Sequence, residues 1–219
     1  SGPQRGGSEP RVFAFIASSP TIDLEYRARA LKDALEAIGV SVAIGGEECA
    51  DFAGTRLDEF ESGHDLVFLT ARLGNPHWAR RAMGRADRVW LFARSDARPS
   101  GPLIPADPSP ATNLKLLDVV LLHHDGVARA ARPQEWMDAA DAARIFHWRQ
   151  GSTADLKRLA RTLSGRSLGL VLSGGGARAY AHIGAMQAFE ASGLEFDFLC
   201  GASMGAILAA SEGLEWSHE

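Results

Sequence analysis

The sequence predicts an α/β fold, a doubly wound and mostly parallel sheet followed by a second strand–helix–strand unit. Three observations carry that expectation. Short apolar runs recur along the chain, each closed by glycine, proline or polar residues, as buried strands are. Between them lie segments whose apolar residues repeat every three or four positions, the mark of a helix with one buried face. Strands that alternate with helices pair in parallel, and helices then cover both faces of the sheet.

In order, residues 1–10 (SGPQRGGSEP) read as a linker or tag scar. Residues 11–18 (RVFAFIAS) form a strand, and residues 22–38 form a helix with Leu24, Ala28, Leu31, Leu35 and Ile38 on one face and Gly39 at its end. Residues 40–44 are a second strand, followed by a mixed, partly helical segment over 47–62. Residues 65–70 (DLVFLT) are a third strand, and Pro76 opens a helix to Arg85 with Trp78, Ala82 and Met83 inward. A fourth strand spans 88–93 and a fifth 117–123, joined by the proline-rich stretch 96–111, which reads as a surface loop. Residues 11–150 thus form one Rossmann-like α/β domain. The boundary is placed near Gly151, because the alternation restarts after a helix over 153–164.

The chemistry gathers after Leu168. Residues 168–172 (LGLVL) are a strand that runs into Gly174-Gly175-Gly176, and a helix follows to Ser192. Residues 196–200 are a second strand that runs into Gly201-Ala202-Ser203-Met204-Gly205, and another helix begins there. A serine that attacks a carbonyl must stand on a turn too tight for flanking side chains, hence glycine two residues before and two after it. Backbone N–H groups at that helix start and in a neighbouring glycine loop can then face a developing oxyanion. Each motif alone is short. The weight lies in the ordered pair, each between a strand and a helix and one strand–helix–strand unit apart.

These residues resemble the patatin-like phospholipase family, in particular the bacterial relatives of neuropathy target esterase. The resemblance rests on Gly174-Gly175-Gly176-Ala177-Arg178, on His182-Ile183-Gly184 and on Gly201-Ala202-Ser203-Met204-Gly205, with the lead-in over 155–165 (DLKRLARTLSG) also similar. It implies that residues 151–219 are the N-terminal, incomplete portion of a patatin-like α/β/α catalytic domain. It implies a serine esterase or (lyso)phospholipase with Ser203 as nucleophile and a Ser–Asp dyad. The oxyanion loop would be Gly174, Gly175 and Gly176, with Met204 contributing an N–H, Arg178 supporting the loop, and Gly201 and Gly205 forming the elbow. No metal and no organic cofactor are implied. The substrate is a lipid or other ester, met in the cytoplasm with peripheral contact at the membrane. The sequence departs from the pattern twice. Ala179 stands where the loop ends in glycine, which costs about 1 kcal/mol if that position is left-handed. No aspartate follows Ser203, so the dyad partner is expected beyond residue 219 and the chain is expected to be inactive alone. Asp125-Gly126 lies upstream of the serine.

Composition bounds the rest. The chain has 219 residues and a formal net charge of −4, which gives no footprint for nucleic acid. Two cysteines, Cys49 and Cys200, make neither a disulfide framework nor a metal site. His123-His124 cannot readily share an ion, since neighbours on a strand point to opposite faces. His77-Trp78 and His147-Trp148 read as amphipathic packing at element edges, and His182 as a structural histidine. Arginines 80, 81, 85 and 88 read as the wet side of a helix, or as a basic patch toward anionic lipid. Two alternatives stay open: a nucleotide-binding Rossmann-type module using Gly174-x-Gly176-x-x-Ala179, and a non-catalytic interaction domain. The nucleotide module wants an acid at the tip of the second strand, where Cys200 to Ser203 stand; Asp197 is expected within that strand.

Overall fold

The computed structural model describes residues 11–52, 54–100, 103, 116–124 and 133–213. The N-terminal segment, most of the proline-rich loop, Asp125-Gly126 and Glu215 to Glu219 lie outside the described residues. The chain divides into two compact units, Ser1–Ser164 and Gly165–Glu219.

The first unit is a six-stranded sheet of β1 (Val12–Ala17), β2 (Val42–Gly45), β3 (Leu66–Arg72), β4 (Arg88–Arg94), β5 (Leu116–His123) and β6 (Arg144–Arg149). Its order is β2-β3-β1-β4-β5-β6, and every pairing is parallel. The helices are α1 (Leu24–Glu36), α2 (Gly54–Ser62), α3 (Pro76–Arg85), α4 (Pro133–Ala140) and α5 (Thr153–Leu163). All six residues of β1 are buried, because alternate side chains feed two cores. Phe13, Phe15 and Ala17 pack with Leu24, Leu31 and Leu35 of α1 and Leu159 and Leu163 of α5. Val12, Ala14 and Ile16 pack with Leu57 of α2, Trp78 and Met83 of α3 and Trp136 of α4. On the first face the Phe15 ring stacks on Phe68 with centroids 4.4 Å apart and on Trp90 at 5.8 Å, a cross-strand aromatic row.

Local signals set the helix ends. The Asp23 carboxylate accepts from the Tyr26 N–H at 2.9 Å and caps α1. Asn75 caps α3, with Pro76 in its first turn. The segment over 47–62 resolves into a 3-10 turn (Glu47–Cys49) and α2.

Two features differ from the sequence reading. First, α4 and β6 were not expected. β6 is an edge strand in which only Phe146 and Trp148 are buried, so it lacks the continuous apolar run of its neighbours. His147-Trp148 therefore sits within a strand. Second, the first compact unit runs to Ser164 rather than to a boundary near Gly151. Leu159, Ala160 and Leu163 of α5 are buried in the α1 core, and the Asp155 carboxylate accepts from the Arg149 guanidinium and backbone N–H at 2.8–2.9 Å. We expect residues 11–164 to melt as one cooperative unit. Ending the chain at 150 should cost several kcal/mol, at roughly 1.5–3 kcal/mol per buried leucine lost, read by urea unfolding of both versions.

The arginines expected on a wet face are mostly engaged. Arg81 donates to the carbonyls of Ala50 and Phe52, and Arg85 donates to Glu61 and Asp58. Arg88 lies on β4 and grips Asp118, while Arg80 stays exposed. Asp118 is fully buried and also accepts from Arg144 at 2.9 Å and from the Trp90 indole N–H at 3.0 Å. Burial opposes its ionisation, but the bonds from Arg88 and Arg144 outweigh this and hold its pKa below the ordinary 3.8. Asp155 is held down in the same way by Arg149. A carboxyl depressed in the folded state adds stability above its unfolded pKa and loses it as pH falls. Stability should therefore drop below about pH 4. Asp118→Ala, which strands two arginines, should cost about 3–5 kcal/mol in chemical denaturation at pH 7.

In the second unit, β7 (Gly169–Leu172) and β8 (Phe198–Gly201) pair in parallel, joined by α6 (Ala181–Ala191), and α7 (Met204–Gly213) follows. Leu172, Met186 and Ala209 make its small core. Val171, Phe198 and Ile207 are exposed, Val171 at 75%. Among the described residues no helix is long and apolar enough to cross a membrane.

Candidate active site

The register of β7 and β8 builds the site. Leu172 pairs with Gly201, so the glycine loop that leaves β7 and the turn that leaves β8 emerge side by side. The Ala202 N–H donates to the Leu172 carbonyl at 3.0 Å and ties the two exits together. A Cβ placed on Gly174 would lie 3.1 Å from the Ser203 Cβ and 3.3 Å from the Ala202 carbonyl oxygen, so the loop touches the serine.

Ser203 sits between β8 and α7 with φ of 51°, one of two described non-glycine residues with positive φ. That left-handed backbone costs about 1–2 kcal/mol and lifts the side chain off the turn. The turn closes through the Gly205 N–H to the Ala202 carbonyl at 3.0 Å, and the Ala206 N–H donates to the Ser203 carbonyl at 2.9 Å. Both flanking glycines are forced by space. A Cβ on Gly201 would lie 2.4 Å from the Gly205 carbonyl oxygen, and one on Gly205 would lie 2.3 Å from the Leu172 carbonyl oxygen.

The N–H donors are at helix starts. Met204 is the first residue of α7 and Gly176 the first of a 3-10 turn to Tyr180, with Gly175 before it. Donors at such positions have no partner within their own helix. Gly176 has φ of 56°, a left-handed position that suits glycine. Arg178 closes the turn with its N–H to the Gly175 carbonyl at 3.2 Å, and its side chain is exposed. Ala179 is buried at 2% exposure and has no left-handed backbone, so alanine fits there without torsional strain.

The remaining candidates fall away from the serine. Nε2 of His182 lies 3.0 Å from the Ser173 carbonyl, which only accepts, so this nitrogen carries the proton and the ring braces the loop. Asp197 precedes β8 rather than lying within it. Its carboxylate accepts from the Leu168 N–H at 3.0 Å, at the end of the strand pair opposite Ser203. The acid that a dinucleotide fold wants at the tip of its second strand is therefore absent from this tip among the described residues. No described group hydrogen-bonds the Ser203 hydroxyl. Glu212 lies near the end of α7, and Glu215 and Glu219 are outside the described residues. Among the described residues there is no cluster of three or more histidine, cysteine or acidic side chains fit to hold a metal.

Known proteins match this chain. The patatin-like phospholipase family matches residues 170–218. Over 82% of the chain, the sequence is 27% identical to patatin-like phospholipase domain-containing protein 6 of Homo sapiens, and this covers 16% of that protein. Over 34% of the chain it is 43% identical to the lysophospholipase NTE1 of Yarrowia lipolytica, covering 5% of that protein. Over 26% of the chain it is 51% identical to the neuropathy target esterase sws of Drosophila persimilis, covering 4% of it. The chain thus spans a small part of the length of these relatives. No solved structure matches it. The patatin-like phospholipase match thus lies over the glycine loop and the serine elbow, and the chain is similar to that family there.

Proposed function

We propose that this chain carries the nucleophile and oxyanion loop of a serine esterase acting on (lyso)phospholipids or other carboxylic esters. The observation that carries the reading is Ser203 at φ 51° against Gly174, a hydroxyl held off a strained turn beside a glycine loop. The Ser203 Oγ attacks the ester carbonyl carbon and passes its proton to a carboxylate base. Charge builds on the carbonyl oxygen and meets the N–H groups of Gly175, Gly176 and Met204. Collapse of the tetrahedral intermediate expels the alcohol, which takes the proton back, and leaves an acyl-serine that water hydrolyses by the same steps. The base is an aspartate beyond residue 219, as the family resemblance implies, and Arg178 steadies the loop.

A serine hydroxyl near neutral pH needs a base within hydrogen-bond reach. We therefore expect the 219-residue chain to be nearly inert toward p-nitrophenyl esters. A version extended to include the dyad aspartate should turn them over. Full activity from the short chain would mean that the base lies within it, and an inactive long chain would sink the assignment. Exposed Val171, Phe198 and Ile207 favour the incomplete-domain reading, since further strands and helices of the same fold would cover them.

A further inference from the structure

The first unit holds a cleft of about 210 Å³ at the carboxyl ends of its strands. β1 leads through α1 to β2 on one side of it in the sheet, and its neighbour β4 leads to β5 on the other side. Strands whose exits diverge open a crevice at their carboxyl ends, the place where open α/β sheets take ligands. Thr21 and Arg27 come to this cleft from β1 and α1, Arg94 from β4, His123 and His124 from β5, and Gln150 from the end of β6.

Two arginines and two carboxylates stand at the cleft, and the carboxylates are already engaged. Asp23 is used as the cap of α1. Asp96 binds Arg94 at 2.6 Å and lies 3.5 Å from His124. Arg27 has no carboxylate partner among the described residues; its guanidinium lies 4.7 Å from the Trp148 ring centre and 5.5 Å from Tyr26. Burial works against its charge, which an arginine nevertheless keeps. Burial outweighs the help that Tyr26 and Asp23 give this charge, and an anion in the cleft would offset that cost.

His123 adds an independent observation. It is 3% exposed, its Nε2 lies 3.0 Å from the Nδ1 of His147, and its own Nδ1 has no hydrogen-bond partner among the described residues. Buried ring nitrogens are rarely left unpaired. The pair can carry its shared proton on either ring, so Nδ1 can accept from a ligand hydroxyl or donate to a ligand oxygen. Burial holds both imidazoles below the usual histidine range, which leaves them neutral near pH 7.

We propose that this cleft binds a small phosphate ester, its phosphate held by the guanidinium of Arg27 and a neighbouring polar atom set against His123, with Arg94 held alongside by Asp96. Guanidinium forks match phosphate oxygens in pairs. The loop after β1 contributes little from its backbone, because the N–H groups of Ser18, Thr21 and Ile22 already donate within the fold. Recognition therefore rests on side chains, and no glycine fingerprint marks it in the sequence.

The test uses the full chain at fixed ionic strength, with inorganic phosphate and glycerol 3-phosphate as soluble probes and phosphatidic acid vesicles as the membrane-borne source. Calorimetry should show saturable binding of glycerol 3-phosphate, tighter than phosphate alone. Arg27→Gln should weaken it about tenfold or more, and Arg27→Lys, which keeps the charge, should weaken it less. The side-chain nitrogen resonances of His123 should shift on saturation, a readout that does not depend on any variant folding. Vesicle binding that competes with glycerol 3-phosphate assigns the phosphate to a lipid headgroup, and vesicle indifference assigns it to a soluble metabolite. No saturable binding at millimolar probe, binding unchanged by Arg27→Gln, or an unmoved His123 overturns the proposal.

Discussion

Ser203→Ala in the extended chain should lower ester turnover by about 10⁴–10⁶, to what the oxyanion donors and binding alone supply. Substrate affinity should hardly change, since the hydroxyl acts on the acyl carbon and not on the rest of the ester. The substitution should also leave the fold intact, because Ser203 is exposed and its left-handed backbone is unchanged. Turnover and melting, measured on the same preparations, separate these effects. A fall of only tenfold would mean that another residue is the nucleophile.

Gly205→Ala is the second large effect, and it acts on the fold. The new methyl would lie 2.3 Å from the Leu172 carbonyl oxygen and 2.5 Å from that of Ser173. Neither oxygen is the end of a flexible side chain. Both belong to the backbone that carries β7 into the glycine loop, so relief must come from moving β7 away from α7. The second unit has few buried residues to resist that, chiefly Leu172, Met186 and Ala209. We expect a loss on the order of 3 kcal/mol or more, with activity lost in parallel. Gly184→Ala is the control: a Cβ there meets nothing within 4 Å, and α6 gains helix propensity. Equal stability of the two variants in urea would contradict the packing described for the elbow.

The elbow is legible in the sequence because its needs are stereochemical. Only glycine fits at 201 and 205, and a serine between them on a strand-to-helix turn has few other uses. The buried strands are legible for a similar reason, since a parallel strand covered on both faces shows as an unbroken apolar run, as in β1, β3 and β4. β6 escapes that test. It pairs with β5 alone, buries Phe146 and Trp148 and presents arginines at both ends, so its alternation looks like an element edge. Its strongest clue was elsewhere. Asp118 stands inside an apolar strand and needs cations around it, and Arg88 and Arg144 supply them from the two neighbouring strands. The same long-range pairing hid the partner of His123, which is His147 on β6 rather than the adjacent His124. The strand order, with β3 between β2 and β1, follows from contacts that no local pattern encodes. Nor does Ala179 announce its backbone angle; its fit within the 3-10 turn is visible only in three dimensions.

Covalent trapping tests the central claim most directly. A fluorophosphonate reacts with a serine only where a base activates the hydroxyl and donors stabilise the phosphorus–oxygen charge. Incubated with the extended chain and mapped by mass spectrometry, it should place a single stoichiometric adduct on Ser203, absent in Ser203→Ala and slow to form on the 219-residue chain. An adduct on any other serine, or none on an extended chain that is folded, would contradict Ser203 as the nucleophile.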